Sequence, residues 1–272
     1  MNSTPRRLYI FTGKGGVGKT TLSKAFVRYL NQHDHEAVYL TFKNQSLGDH
    51  FLGNSETSQN GMKEISLDLE ECARTYIERR LKSGLISSWI VKTPFFRALV
   101  NMVPGFSYLI FLGKILEMGK DNPRLIVVLD APASGHALTM VEATTNFKNI
   151  FESGVIFDDT SKMLSRLNDP EYTQIHVVTL PSLMSWQEAL ELRSGLKERT
   201  PVGVDITVNN CLYPLVENEL NALPINIRQK ALNEKSLVEE NRSEMQCILP
   251  HSLSTDPRAI EMDLLGSLSK LI

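Results

Sequence analysis

Short apolar runs and helical stripes alternate along the chain. Residues 7–12 (RLYIFT) form an apolar run that leads into glycines, and residues 19–31 then carry Leu22, Ala25, Phe26, Tyr29 and Leu30 at helical spacing. The order is strand, loop, helix. Residues 37–42 (AVYLTF) read as a second buried strand, and residues 124–130 (RLIVVLD) as a third with an acidic end. Further strands are predicted at 175–180 (IHVVTL), 202–209 (VGVDITVN) and 245–249 (MQCIL), with helical patterns at 183–198 and 256–271. Near-continuous apolar strands alternating with helices predict an α/β fold, a mostly parallel sheet with helices on both faces.

Residues 61–120 break the alternation. An edge strand at 64–68 aside, they read as several helices, with Pro94 and Pro104 as breaks. The chain therefore reads as a single domain, 1–272, carrying a helical insert at 61–120. Residues 158–172 are polar and read as a surface loop. No internal repeat or low-complexity tract is visible.

Composition narrows the picture. With 42% apolar and 22% charged residues the chain falls among soluble globular proteins. Its 29 Lys and Arg nearly balance 31 Asp and Glu, and a net charge of -2 leaves no footprint of nucleic-acid binding. Cys72, Cys211 and Cys247 are too far apart for a Cys-x-x-Cys motif, and so sparse a set suits a reducing compartment. No apolar segment precedes the first strand, so no secretory signal is expected and the cytoplasm is the expected location. The most apolar stretch, residues 95–118, is interrupted by Arg97, Asn101, Pro104-Gly105, Lys114 and Glu117, and predicts two amphipathic helices. The sequence gives no strong membrane signal.

The chemistry lies in residues 13–21, GKGGVGKTT. Gly13, Gly18, Lys19 and Thr20 fit G-x-x-x-x-G-K-[ST], between an apolar strand and an amphipathic helix as that motif requires. The glycines let backbone N–H groups turn inward around phosphate oxygens, and the helix start adds partial positive charge. Gly13, Lys14, Gly15, Gly16, Val17, Gly18, Lys19, Thr20 and Thr21 are thus the candidate nucleotide contacts. Lys19 would neutralise the β and γ phosphates of ATP and Thr20 would ligate Mg²⁺. The plain alternative is a glycine-rich turn without a ligand.

Lys14 narrows this further. KGGVGKT resembles the deviant Walker A motif of the ATPases that include the arsenite-pump ATPase ArsA, the tail-anchored-protein targeting ATPases, the division-site protein MinD and the partition protein ParA. The resemblance implies that Lys14 crosses a dimer interface to the partner's nucleotide, supplying charge as an arginine finger does, a device worth ~10³ to 10⁵ in rate. Residues 130–138, DAPASGHAL, resemble the DTAPTGHTL switch segment of the ArsA and tail-anchor branch. Asp130 would there hold a Mg²⁺-bound water, with Thr20 the other metal-side residue, and Gly135 would let the segment flex. Lys14, Lys19 and Asp130 are the candidate catalytic residues. His136 is typical of this branch, and equally fits a hydrogen-bonded structural role. Weaker similarities follow at VVTLPSLMSWQEAL (177–190, with Glu188), at PGF (104–106), at CILPHS (247–252) and at DITVNNCLYP (205–214). The last implies Asn210 against the adenine, where a turn asparagine would also fit.

One departure stands out. Where the family has DPAHSLSD after the second strand, its first aspartate positioning the attacking water, residues 42–49 read FKNQSLGD. Ser46, Leu47 and Asp49 fit the motif's tail and Phe51 follows, but Phe42 occupies the aspartate position. Phenylalanine cannot orient water, and losing such help typically costs ~10² to 10⁴ in rate. The cysteine spacing also supports neither a zinc clamp nor a metalloid site. Two readings stay open: a dimeric Mg²⁺-dependent ATPase, slowly hydrolysing, whose nucleotide state moves the insert against a protein client or partner; and a nucleotide-locked scaffold, a pseudo-ATPase that forms a homodimer or a heterodimer with a related ATPase. A ParA- or MinD-like positioning ATPase fits less well, because residues 258–272 carry little positive charge. The insert's apolar residues, among them Trp89, Phe95, Leu99 and Phe106, are candidates for lining a client groove, although most such residues are usually core.

Overall fold

The computed structural model describes residues 4–43, 54–59, 61–103, 105–150, 155–212, 221–222 and 224–272. Eight strands among them form one sheet: β1 (Leu8–Thr12), β2 (Ala37–Phe42), β3 (Ser55–Gln59), β4 (Met62–Leu67), β5 (Ile126–Asp130), β6 (Thr173–Thr179), β7 (Gly203–Cys211) and β8 (Met245–Pro250). Their spatial order is β3-β4-β2-β5-β1-β6-β7-β8, and every pairing is parallel except β3 with β4. The helices are α1 (Lys19–Gln32), α2 (Leu69–Leu81), α3 (Gly84–Lys92), α4 (Pro94–Met102), α5 (Phe106–Asp121), α6 (Ser134–Ile150), α7 (Val155–Leu167), α8 (Leu183–Lys197), α9 (Ile225–Glu240) and α10 (Pro257–Leu264).

The continuous apolar strands have a simple cause: both faces are covered. Leu8, Ile10, Val38, Leu40, Val127 and Leu129 point to one core layer, shared with Phe111 of α5, Met140 of α6 and Trp186 of α8. The alternate residues Tyr9, Phe11, Ala37, Tyr39, Ile126 and Val128 point to the other, shared with Phe26 of α1 and Leu264 of α10. The alternation is the two-residue period of a strand, with both phases apolar. In the middle of the sheet β1 lies between β5 and β6, and its register sets Phe11 beside Asp130. The loop after β1 and the acidic tip of β5 therefore share the C-terminal edge, where open parallel sheets bind ligands.

Several elements differ from the sequence reading. The edge strand expected at 64–68 runs from Met62 to Leu67 and is interior, because the polar Ser55–Gln59 strand pairs antiparallel outside it. The helical part of the stretch starts at Leu69, where the Asp68 side chain accepts a 2.9 Å hydrogen bond from the Glu71 N–H and caps α2. The break expected at Pro94 is present: α3 ends at Lys92, Thr93 is extended, and Pro94 opens α4, as its fixed φ and missing donor allow at a first turn. Pro104 lies outside the described residues. The polar stretch expected as a loop is mostly α7, which buries Thr160, Met163 and Leu167 on one face. The last predicted helix ends at Leu264 and continues as a 3-10 run, Leu265–Leu271, with Leu268 and Leu271 buried.

Candidate functional site

The turn after β1 is shaped by its glycines. Gly13, Gly16 and Gly18 have φ of 142°, 81° and 90°, which disfavour any side chain. A Cβ on Gly13 would stand 2.2 Å from the Val178 carbonyl oxygen, and one on Gly18 would stand 2.3 Å from Asn209 Nδ2. Nothing lies within 4 Å of the Cβ positions of Gly15 and Gly16, so the outer side of the loop is open. Val17 is buried beneath it, and its carbonyl accepts a 2.9 Å hydrogen bond from Asn209 Nδ2. The loop is tied to β7 below and faces solvent above.

Lys19, at the start of α1, folds back on this turn. Its Nζ donates to the carbonyl oxygens of Gly13 at 3.1 Å and Lys14 at 2.9 Å. Burial lowers its pKa and the Asp130 charge partly offsets that. Thr21 follows on the same helix, half-buried. Thr20 donates its hydroxyl to Asp130 Oδ2 at 2.5 Å, and Tyr39 of β2 donates to the same oxygen at 2.8 Å. Burial and the neighbouring Asp130 charge together raise the Tyr39 pKa, so it remains a donor.

These groups open onto a cleft of about 430 Å³ lined by Lys19, Thr20, Phe42, Tyr108, Asp130 and His136, with Thr41, Lys43 and residues 131–133. Among the described residues lining it, Asp130 is the one carboxylate. Phe42, where an aspartate was expected from the resemblance, stacks on Phe111 with centroids 4.3 Å apart. Ser46, Leu47, Asp49 and Phe51 fall outside the described residues. His136 is exposed, its ring 6.3 Å from and edge-on to that of Tyr108. A Cβ on Gly135 would meet nothing within 4 Å.

Two candidates sit differently from the rest. Lys14 is exposed and pairs within its own chain, Nζ to Glu188 Oε1 of α8 at 2.7 Å. Asn210 has φ of 62°, and its Oδ1 contacts His251 Nδ1. Sequence reasoning missed Tyr39 and Asn209. Tyr39 was hidden in an apolar strand, and its hydroxyl was the only clue. Asn209 adjoins Asn210 with the opposite orientation, which the strand period could have separated.

The fit of ATP and Mg²⁺ follows from the donor set. An open glycine turn, a lysine folded over it and a helix start suit a polyphosphate. A hydroxyl and a carboxylate side by side suit Mg²⁺, which takes few protein oxygens and fills its shell with water and phosphate. The thiols are poor ligands: Cys72, Cys211 and Cys247 are buried, and burial pushes Cys72 up to about 12 and Cys247 up to about 11.

A family model described as anion-transporting ATPase matches residues 6–165, which include the loop, Asp130 and the four helices α2–α5. The chain belongs to the anion-transporting ATPase family. Relatives in this family include the arsenical pump-driving ATPase of Escherichia coli, 27% identical over 93% of this chain and 42% of that protein. The ATPase BagA of Mycobacterium tuberculosis is 24% identical over 75% of this chain and 65% of its own length. An ATPase ASNA1 homolog of Cryptosporidium parvum is 26% identical over 76% of this chain and 66% of its own length. The chain thus spans less than two thirds of the length of these relatives. With this membership the fold is that of a P-loop NTPase of the ArsA type, and the sequence resemblance stands.

Proposed function

We propose that the chain binds ATP with Mg²⁺ in the loop and cleft at the ends of β1 and β5, and hydrolyses it slowly as a dimer. The observation that carries this is the meeting of Thr20 and Asp130 at 2.5 Å beside Lys19, under an open glycine turn. On binding, Lys19 would exchange its two loop carbonyls for phosphate oxygens. Thr20 and Asp130 would hold the metal, which neutralises charge on the transferred phosphoryl group. Lys14 would leave Glu188 and serve the partner's nucleotide, and Asn210 would face the base. Positioning and charge account for most phosphoryl-transfer catalysis, so turnover without an aspartate at position 42 is slow rather than absent. The setting is the cytoplasm, consistent with three buried cysteines that form no disulfide.

The nucleotide state would move α2–α5 as an insert that engages a client protein or other partner. Phe42 supports that coupling, since it belongs to the cleft and to the packing of α5 at once.

A second reading is favoured by the same Phe42: a pseudo-ATPase scaffold, paired with itself or with a related ATPase. Phosphate release by wild type and Phe42→Asp, with mass measured with and without ATP and Lys14→Ala as control, separates the two. Slow but measurable wild-type turnover and an ATP-dependent doubling of mass are expected. Near-zero wild-type turnover with a large gain in the variant makes the chain a scaffold. A mass indifferent to ATP removes the trans role of Lys14. The positioning-ATPase option loses its terminal helix, because Leu264, Leu268 and Leu271 are committed to the core.

A further inference from the structure

Helices α3 and α4 are apolar on two sides. On the inner side Val91 and Phe96 pack with Ala73 of α2 in a small cluster. On the outer side Leu85, Ile86 and Trp89 of α3 and Phe95 and Met102 of α4 are exposed, from 49% at Ile86 to 89% at Leu85. Offsets of one, four and seven residues keep each set on one stripe of its helix. Five large apolar side chains exposed on two consecutive helices mark a surface that meets something other than water.

Charge decides what that is. No aspartate or glutamate stands between Glu78 and Glu117, an interval that carries Arg79, Arg80, Lys82, Lys92, Arg97 and Lys114 in a chain of net charge -2. Arg79 and Lys114 pair with Glu117. Lys82 and Lys92, at the ends of α2 and α3, are exposed and make no ion pair among the described residues. Tryptophan and phenylalanine set among lysines, in an interval free of acids and bordered at Gly84 by Glu78, which is paired with Arg74, is the composition of a surface that settles into anionic headgroups. An apolar client segment would call for the hydrophobic half of this pattern and would gain nothing from the absence of acids.

Helix length and burial do not favour a membrane span in this region. Among the described residues no single helix is long and apolar enough to span, and α4 meets α5 at 97°. The apolar residues of α5, among them Phe111, Leu112 and Ile115, are buried in the core.

We propose that the outer face of α3 and α4 docks on an anionic lipid surface, its apolar side chains entering the headgroup layer and its lysines meeting lipid phosphates. This names the partner of the insert, so it rests on the reading of α2–α5 as a docking element, and it does not depend on hydrolysis.

The chain reports on this itself. Of its two tryptophans Trp186 is buried, leaving Trp89, 70% exposed, as the responsive fluorophore. The full chain is titrated with phosphatidylcholine vesicles, with or without about one third phosphatidylglycerol. A blue shift and co-sedimentation with the anionic vesicles are expected, reversed at ~1 M salt and at least about tenfold weaker without the anionic lipid. Lys82→Glu with Lys92→Glu should lose at least about tenfold in binding, and Trp89→Ser should bind more weakly, while both still bind a fluorescent ATP analogue as wild type does. A chain that binds vesicles but no nucleotide defeats the ATPase reading and leaves this face standing. The proposal is overturned if anionic vesicles are ignored, if neutral and anionic vesicles bind alike, or if the charge-reversed chain binds unchanged. Capture of an apolar helical peptide by Trp89 while vesicles are ignored gives the face to a protein client and likewise overturns it.

Discussion

The ring of Phe42 lies face to face on that of Phe111, centroids 4.3 Å apart and planes 8° from parallel. One residue closes the end of β2 at the candidate cleft and the other is buried in α5, so the pair joins the candidate site to that helix. Phe42→Ala should lower unfolding free energy by about 2 kcal/mol, less than a fully buried phenylalanine because Phe42 is only half-buried. A double-mutant cycle with Phe111→Ala, read from urea unfolding, should give a coupling of about 0.5 to 1.5 kcal/mol. Additive losses would mean that the two rings merely neighbour each other.

Tyr39 predicts a metal effect. Its hydroxyl and that of Thr20 share Asp130 Oδ2, at 2.8 and 2.5 Å. Should Thr20 turn to Mg²⁺, Tyr39 would be the donor left holding the carboxylate. Removing such an outer partner typically costs 10- to 100-fold in metal affinity. Tyr39→Phe should therefore raise the Mg²⁺ concentration for half-maximal nucleotide binding by about tenfold. Binding of the metal-free nucleotide should stay as in wild type, and the reading fails if both change together.

What the sequence revealed and what it hid divide along one line. The apolar strands and the glycine loop were legible because burial and positive φ each leave a strong residue signature, as in AVYLTF and GKGGVGKTT. Ser55–Gln59 was not, since an exposed edge strand has no apolar face to show. Helix α7 was obscured because Asp158, Asp159 and Arg166 dilute the stripe of Thr160, Met163 and Leu167. The same holds within the site. Lys19, Thr20 and Asp130 sit in motifs that name their chemistry, whereas Tyr39 reaches Asp130 across 91 positions of sequence, a contact that β2 and β5 pairing creates and no local pattern announces.

His176 predicts acid sensitivity. It is 1% exposed in β6, stacked on Phe11 at 5.0 Å and Tyr9 at 6.1 Å. Neither ring nitrogen makes a well-formed hydrogen bond, though the Leu271 backbone lies near enough to favour the cation slightly. Burial is the largest influence, and it lowers the pKa from 6.5 to about 4. The unfolded chain then binds the proton more readily, so stability is full above about pH 6.5 and falls as pH drops towards 4. The loss from this group reaches about 3 kcal/mol. His176→Phe should flatten that part of the profile, as thermal unfolding between pH 7 and 4 would show. An unchanged slope would place the acid sensitivity elsewhere.

Lys14 is held at 2.7 Å by Glu188 of its own chain. Both side chains are substantially exposed, 58% and 40%, so the pair is worth at most about 1 kcal/mol and is screened by salt. If Lys14 serves a second copy as proposed, that is weak enough to break when a phosphate there offers a stronger partner, and the pair would oppose dimerisation until then. Glu188→Gln should therefore tighten ATP-dependent self-association by up to about fivefold at low ionic strength and hardly at all at high salt. Sedimentation across a concentration series with ATP measures it. Weaker association in the variant would instead mean that Glu188 itself contributes across the interface, because removing a mere cis restraint on Lys14 can only favour the dimer.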